Sequence, residues 1–195
     1  GIYEMLSTGL KEVKSPNEIF LTLNNSKMSG HAIGVSMEGI RPLTLEVQAL
    51  VSTAVYGTPQ RSSNGFNSKR LNMLLAVLEK RAGIQLSNKD VFLNITGGIK
   101  SEDPSLDLAV VSAILSSYHD TPLNEKICFA SEIGLSGELR PVIKLDKRVL
   151  EAEKLGYKVF VTSNFKKDFT KKNGVEILEI EKIESLKLTY LNNLI

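Results

Sequence analysis

Seven basic residues stand between Gly57 and Lys100 (Arg61, Lys69, Arg70, Lys80, Arg81, Lys89 and Lys100) against two acidic ones, Glu79 and Asp90. The stretch therefore carries 7 − 2 = +5 in a chain of formal net charge +2. Gathered lysines and arginines neutralise phosphates and release their counterions, so this is the composition of a nucleic-acid backbone site. Lys80 and Arg81 fall at the end of a helical pattern, where positive charge offsets the macrodipole. Lys69 and Arg70 fall at its start, where positive charge is unfavourable and calls for an acceptor. A phosphate reached through the polar loop carrying Arg61 would supply one. A second group, Arg140, Lys144, Lys147 and Arg148, surrounds a strand-to-helix turn. It is diluted by Asp146 and Glu151, and Lys147 and Glu151 have the i,i+4 spacing of an ordinary helix pair. Lys166, Lys167, Lys171 and Lys172 read as a charged exposed loop. No aromatic residues alternate with the arginines as in a base-stacking platform, so the expected DNA partner, single-stranded or branched, is held through its backbone.

Other chemistries find less support. His31 and His119 stand far apart, with neither Ser/His/Asp nor metal-ligand spacing, and read as surface residues. The single cysteine, Cys128, sits in the apolar run Ile127-Cys128-Phe129-Ala130, the pattern of an inert core thiol rather than a reactive one. It cannot form an internal disulfide, which points to a reducing, cytoplasmic compartment. No metal site is expected.

These residues need a scaffold, and the hydrophobic pattern supplies one. Ile33, Val35 and Met37 alternate, as do Leu43, Leu45, Val47, Ala49 and Val51, giving two strands joined at Glu38-Gly39. After a polar loop over 57–68, Leu71, Leu74, Leu75, Leu78 and Ala82 share one helical face and Gly83 ends it. Val91–Ile95 is a strand that stops at Gly97-Gly98. Asp103-Pro104 is an N-cap followed by the proline favoured at the first helical position, opening a buried helix to Tyr118 rich in small residues. Strands are expected at 127–133, 138–142, 158–162 and 175–178. Leu145, Val149, Ala152 and Leu155 mark a helix ending at Gly156, and Ile183, Leu186, Leu188 and Leu191 mark a last one. The interleaving predicts an α+β, mixed α/β domain. At 195 residues the chain has the size of one such domain. It contains no apolar run near the ~20 residues that span a bilayer, so no membrane partner is expected.

Several stretches, in one collinear order over nearly the whole chain, resemble the Lon-type proteolytic domain as carried by RadA-type DNA-repair proteins. They are Glu38-Gly39-Ile40-Arg41-Pro42-Leu43 with Glu46–Val51, Leu74–Gly83, Gly97-Gly98-Ile99-Lys100, Asp107-Leu108-Ala109-Val110, and Glu132–Arg140. The resemblance implies a Lon-like fold over 33–195. It also implies that 1–32 is a lead-in segment, with one short helix, following a RecA-like ATPase core that is missing here, and that the chain assembles as a homo-oligomeric, hexameric ring acting on branched recombination intermediates. The family's ATP, magnesium and zinc belong upstream; this sequence has no Gly-x-x-x-x-Gly-Lys-Ser/Thr loop and no cysteine pair, so no cofactor is expected here. The beginning, Gly1-Ile2-Tyr3-Glu4-Met5, is neither a signal peptide nor preceded by methionine and reads as part of a longer chain.

The same resemblance tests for peptidase chemistry. Lon-type peptidases pair a serine flanked by glycines with a desolvated lysine base. Ser105 stands at the nucleophile's position, but between Asp103 and Asp107, whose carboxylates would oppose an oxyanion. Asp146 stands at the lysine's position. Lys147 is turned about 100° away on a helix, and Lys144 reaches only through an irregular loop. Ser105 is therefore expected to bond backbone amides at a helix start. The domain reads as a pseudo-protease for DNA binding and ring assembly, with Arg61, Lys69, Arg70, Lys100, Arg140, Lys147 and Arg148 as DNA contacts. The alternatives are a residual Ser105–Lys144 peptidase and a pure oligomerisation scaffold.

Overall fold

The computed structural model describes residues 3–7, 9–12, 28–55, 57–163 and 174–186. The two alternating segments form the long hairpin expected of them: β3 (His31–Glu38) pairs antiparallel with β4 (Arg41–Thr53). β6 (Lys89–Ile95) adds antiparallel to β4. On the other side of β3 run three parallel strands, β7 (Ile127–Phe129), β10 (Val159–Thr162) and β11 (Glu176–Glu179). With β5 (Arg61–Asn64) at the far edge, the sheet order is β11-β10-β7-β3-β4-β6-β5. The mixed α/β class read from the sequence is the class observed.

Helices cover both faces. α1 (Ser68–Ala82) and α2 (Asp107–Tyr118) pack on one side, where Leu45, Val47, Leu74, Leu78, Leu93 and Ile114 join one core. α3 (Leu145–Lys154) covers the other side over Val35, Cys128 and Phe160. α1 is capped at both ends: Asn67 accepts from the amides of Lys69 and Arg70, and Gly83, the expected stop, takes the left-handed φ of 71°. α2 is buried all round from Asp107 to Ser116. Its close approach requires Gly34, where an added Cβ would stand 2.5 Å from a Leu106 methyl.

Two segments differ from expectation, and two more are described only in part. The polar stretch over 57–68 holds β5, a parallel edge strand on β6, whose backbone bonds are indifferent to its Arg-Ser-Ser-Asn side chains. The stretch 127–133 divides: β7 enters the sheet, while β8 (Glu132–Ile133) leaves it to form a two-stranded ribbon with β9 (Leu139–Arg140). Within 1–32 an antiparallel ribbon of β1 (Tyr3–Leu6) and β2 (Gly9–Glu12) precedes β3; the stretch 13–27, where the expected short helix would have room, lies outside the described residues. Of the last helix, a 3-10 turn at Ile183–Ser185 is described, while Leu188 and Leu191 lie outside the described residues, as do Lys166, Lys167, Lys171 and Lys172.

The topology sorts the ends. β3, β5, β6, β7, β10 and β11 all point the same way, so their C-terminal ends share one edge of the sheet. α1 and α2 start from the chain leaving β5 and β6 at that edge, and the start of α3 is tied there to the β3–β4 turn.

Candidate functional site

Asp103 caps the turn that opens α2. Its Oδ1 accepts from Ser105 N at 3.0 Å, as the Asp-Pro motif anticipates, but the turn it heads is a 3-10 turn, Pro104–Leu106, that precedes the helix. Its Oδ2 accepts from Met37 N at 2.7 Å, tying the turn to the end of β3. Ser105 is thereby placed beneath Val35, fully buried. Its hydroxyl bonds no helix amide, contrary to expectation, because Asp103 has already taken that role. Ser105 Oγ instead donates to Val35 O at 3.2 Å and accepts from Arg148 Nη1 at 2.7 Å.

Arg148 makes this site. Its side chain is 0% exposed, the largest fully buried side chain among the described residues. Nε donates to Ile143 O at 3.1 Å, Nη1 to Val35 O as well as to Ser105, and Nη2 to Asp103 Oδ2 at 2.8 Å. Burial alone would raise the pKa of Asp103, but the Ser105 and Met37 amides and the Arg148 charge hold it below the ordinary carboxylate value. The expected DNA contact at Arg148 is thus corrected: its guanidinium lies inside the fold with all three nitrogens engaged. Asp146, expected from the resemblance to stand at the lysine's position, is exposed. Two residues along a helix is about 200°, so Asp146 and Arg148 face opposite ways and Arg148 fills the site. Lys144 does lie in irregular backbone, at φ 54°, but its Nζ donates to Gly39 O at 3.1 Å on the exposed surface rather than reaching Ser105.

Arg70, partly exposed, is also engaged within the fold. Its Nε donates to Asp107 Oδ1 at 3.0 Å, its Nη2 contacts Asp107 Oδ2 and donates to Ile133 O at 3.3 Å, and Glu132 lies at 3.5 Å. Asp107 is fully buried and also accepts from Ile133 N at 3.0 Å. The hydrogen bond to Asp107 raises the pKa of Arg70 against the opposing pull of its burial. The basic charge at the start of α1 is therefore answered by this carboxylate. The arginine clamps α1, α2 and the β8–β9 ribbon together.

The remaining predicted contacts are surface residues. Lys69, Lys100 and Lys147 are exposed at the C-terminal strand edge, as is Arg140, which is paired with Glu138 at 2.6 Å. Arg61 is exposed too, but it lies at the start of β5, the opposite end, 3.5 Å from Leu86 O. His31 is half-buried and meets Glu46 at 2.9 Å, while His119 is exposed and stacks edge-on with Tyr118. Burial pushes the Cys128 thiol well up, the state of an unreactive core cysteine. Among the described residues no three His, Cys, Asp or Glu side chains gather as a metal site, and no helix is long and apolar enough to cross a membrane.

Sequence reasoning missed Arg148 as a core residue. The signal was present: Leu145, Arg148, Val149 and Ala152 have the i, i+3, i+4, i+7 spacing of one helical face, and that face is buried.

Comparison with known proteins gives two kinds of match. Residues 46–165 match the family described as subunit ChlI of Mg-chelatase. The chain is also similar to proteins named DNA repair protein RadA. That of Bacillus subtilis (strain 168) is 43% identical over 192 residues, 98% of this chain and 42% of the relative. That of Streptococcus pneumoniae is 42% identical over 187 residues, 95% of this chain and 44% of the relative. That of Listeria monocytogenes is 41% identical over 189 residues, 96% and 41% respectively. The chain thus spans about two fifths of the length of these relatives.

Proposed function

This chain belongs to the family described as subunit ChlI of Mg-chelatase, and we propose that it serves as a non-proteolytic, Lon-like domain of a RadA-type DNA-repair protein, contacting DNA backbone within a homo-oligomeric, hexameric ring. The observation that carries the reading is the pairing of Ser105 with Arg148. A peptidase of this kind needs a base that can lose its proton. A guanidinium keeps its proton in proteins, and here it donates to the hydroxyl it would have to deprotonate. Ser105 is also fully buried, so no acyl group reaches it. The site is a structural lock joining β3, the turn before α2 and α3, which leaves function to the surface.

The names of the relatives supply DNA repair as the setting. On the surface, Lys69, Lys100, Arg140, Lys144 and Lys147 lie along the strand edge where the three helices begin, so their charge adds to the positive ends of the helix dipoles. This grouping favours phosphate over a scaffold whose basic residues only pair with a neighbour.

The test is a salt titration of the purified chain on labelled single-stranded and branched DNA, with size-exclusion chromatography alongside. Binding should weaken steeply with salt. A Lys69→Ala/Lys100→Ala/Lys147→Ala variant should lower the log–log salt slope by about one for each phosphate no longer neutralised, while Arg61→Ala leaves it unchanged. Failure of the assembled protein to bind DNA at low salt would sink the reading.

A further inference from the structure

Hairpin turns are ordinarily polar, yet the β3–β4 turn is Gly39-Ile40. Glu38 and Arg41 are paired across it, leaving a two-residue loop in which Gly39 takes a φ of +60° and Ile40 does not take a positive φ. This is the type II′ pattern, glycine first, whose second position usually holds Asn, Ser or Asp. Ile40 is 73% exposed there. Singly, an exposed aliphatic is ordinary on a protein surface; two on loops that are tied together are less so.

A second exposed aliphatic lies on the loop that is tied to this turn. Ile143, in the segment leading into α3, is 72% exposed. The two loops are stapled, because Lys144 Nζ donates to Gly39 O at 3.1 Å. The tip is also held from below: the buried Arg148 donates through Nε to Ile143 O at 3.1 Å, and Pro42 and Pro141 limit the backbone on either side. Two bare isoleucines are thus carried on a fixed support. The exposed charged residues of these loops are Arg41, Lys144 and Lys147 against Glu38 and Asp146, a surplus of one cation, at the start of the ten-residue α3.

We propose that Ile40 and Ile143 form an apolar wedge that enters between bases where DNA is already unpaired or forked, with Arg41, Lys144 and Lys147 on the adjoining phosphates. Aliphatic side chains flanked by lysine and arginine are the means by which proteins unstack a base step, and the cost is least where pairing is already interrupted. The inference rests on the DNA-contact reading above and adds to it a base-level action at a stated point.

The experiment uses the purified chain and forked DNA with 2-aminopurine at the junction, a base that brightens when unstacked. The native chain should bind the fork and raise its fluorescence. An Ile40→Ser/Ile143→Ser variant, altered only at exposed positions, should bind with unchanged affinity and lose the rise. Equal brightening by both proteins, or binding by the native chain with no brightening, overturns the wedge while leaving DNA contact intact. If the native chain binds neither fork nor duplex, the DNA reading itself fails and the wedge with it. A change of oligomeric state in the variant would overturn the wedge by identifying the tip as a subunit contact.

Discussion

Replacing Arg148 with methionine removes the charge from the lock while keeping most of its apolar stem. Arg148 is wholly buried and the Asp103 side chain is 13% exposed, so solvent screens little of the pair. Breaking such a pair by removing one partner costs about 3–5 kcal/mol, because the surviving charge is left buried and unpaired. Asp103 would keep the Met37 and Ser105 amides, and methionine fills much of the vacated volume, which favours the lower part of the range, about 3–4 kcal/mol. With a urea slope of about 2 kcal/mol per molar, the unfolding midpoint should fall by roughly 1.5–2 M at unchanged slope. Arg148→Met/Asp103→Asn should recover part of the loss, since no lone carboxylate then remains. A fall of less than about 0.5 M for Arg148→Met would refute the reasoning, because a loss near 1 kcal/mol is what an ordinary neutral hydrogen bond provides.

Three further outcomes follow from the same contacts. Asp103 has a folded pKa below its unfolded one, so its contribution is present above the ordinary aspartate value of about 4 and is lost as pH falls through the depressed value; thermal melts from neutral to strongly acidic pH should show a steeper acid loss for the native chain than for Asp103→Asn, and parallel curves would contradict this. Ser105→Ala should cost about 1–2 kcal/mol in a urea melt, and a fluorophosphonate probe should label neither the native chain nor Arg148→Lys, where Asp103 would keep the ammonium charged; labelling at Ser105 would count against the lock. Arg70→Ala strands the fully buried Asp107 and should cost about 3 kcal/mol, discounted from the top of the range because Arg70 is partly exposed, whereas Arg70→Lys should restore part of that stability.

The elements that could be read in the sequence are those whose signal is local. The alternation through Leu43, Leu45 and Val47 places β4, the spacing of Leu71, Leu74, Leu75 and Leu78 places α1, and Asp103-Pro104 marks the turn that positions Ser105. What escaped is held by partners distant in the chain. β5 is a strand because β6 lies beside it. β8 turns out of the sheet, where Ser131 Oγ bonds Arg140 O. Charge was legible as composition but not as geometry: Arg70 and Arg148 have the residue type of phosphate ligands, and carboxylates 37 and 45 residues away bind them. The distinction has a physical rule behind it. A buried arginine needs a carboxylate and several carbonyls converging on it, and that convergence exists only once β3, the 103–107 turn and α3 have come together. Helical spacing could nominate Arg148 as inward-facing, but only the assembled fold provides the acceptors. Of the exposed basic residues left over after such internal pairing, Lys69, Lys100, Lys144 and Lys147 lie at the edge where the helices begin, whereas Arg61 lies at the opposite end.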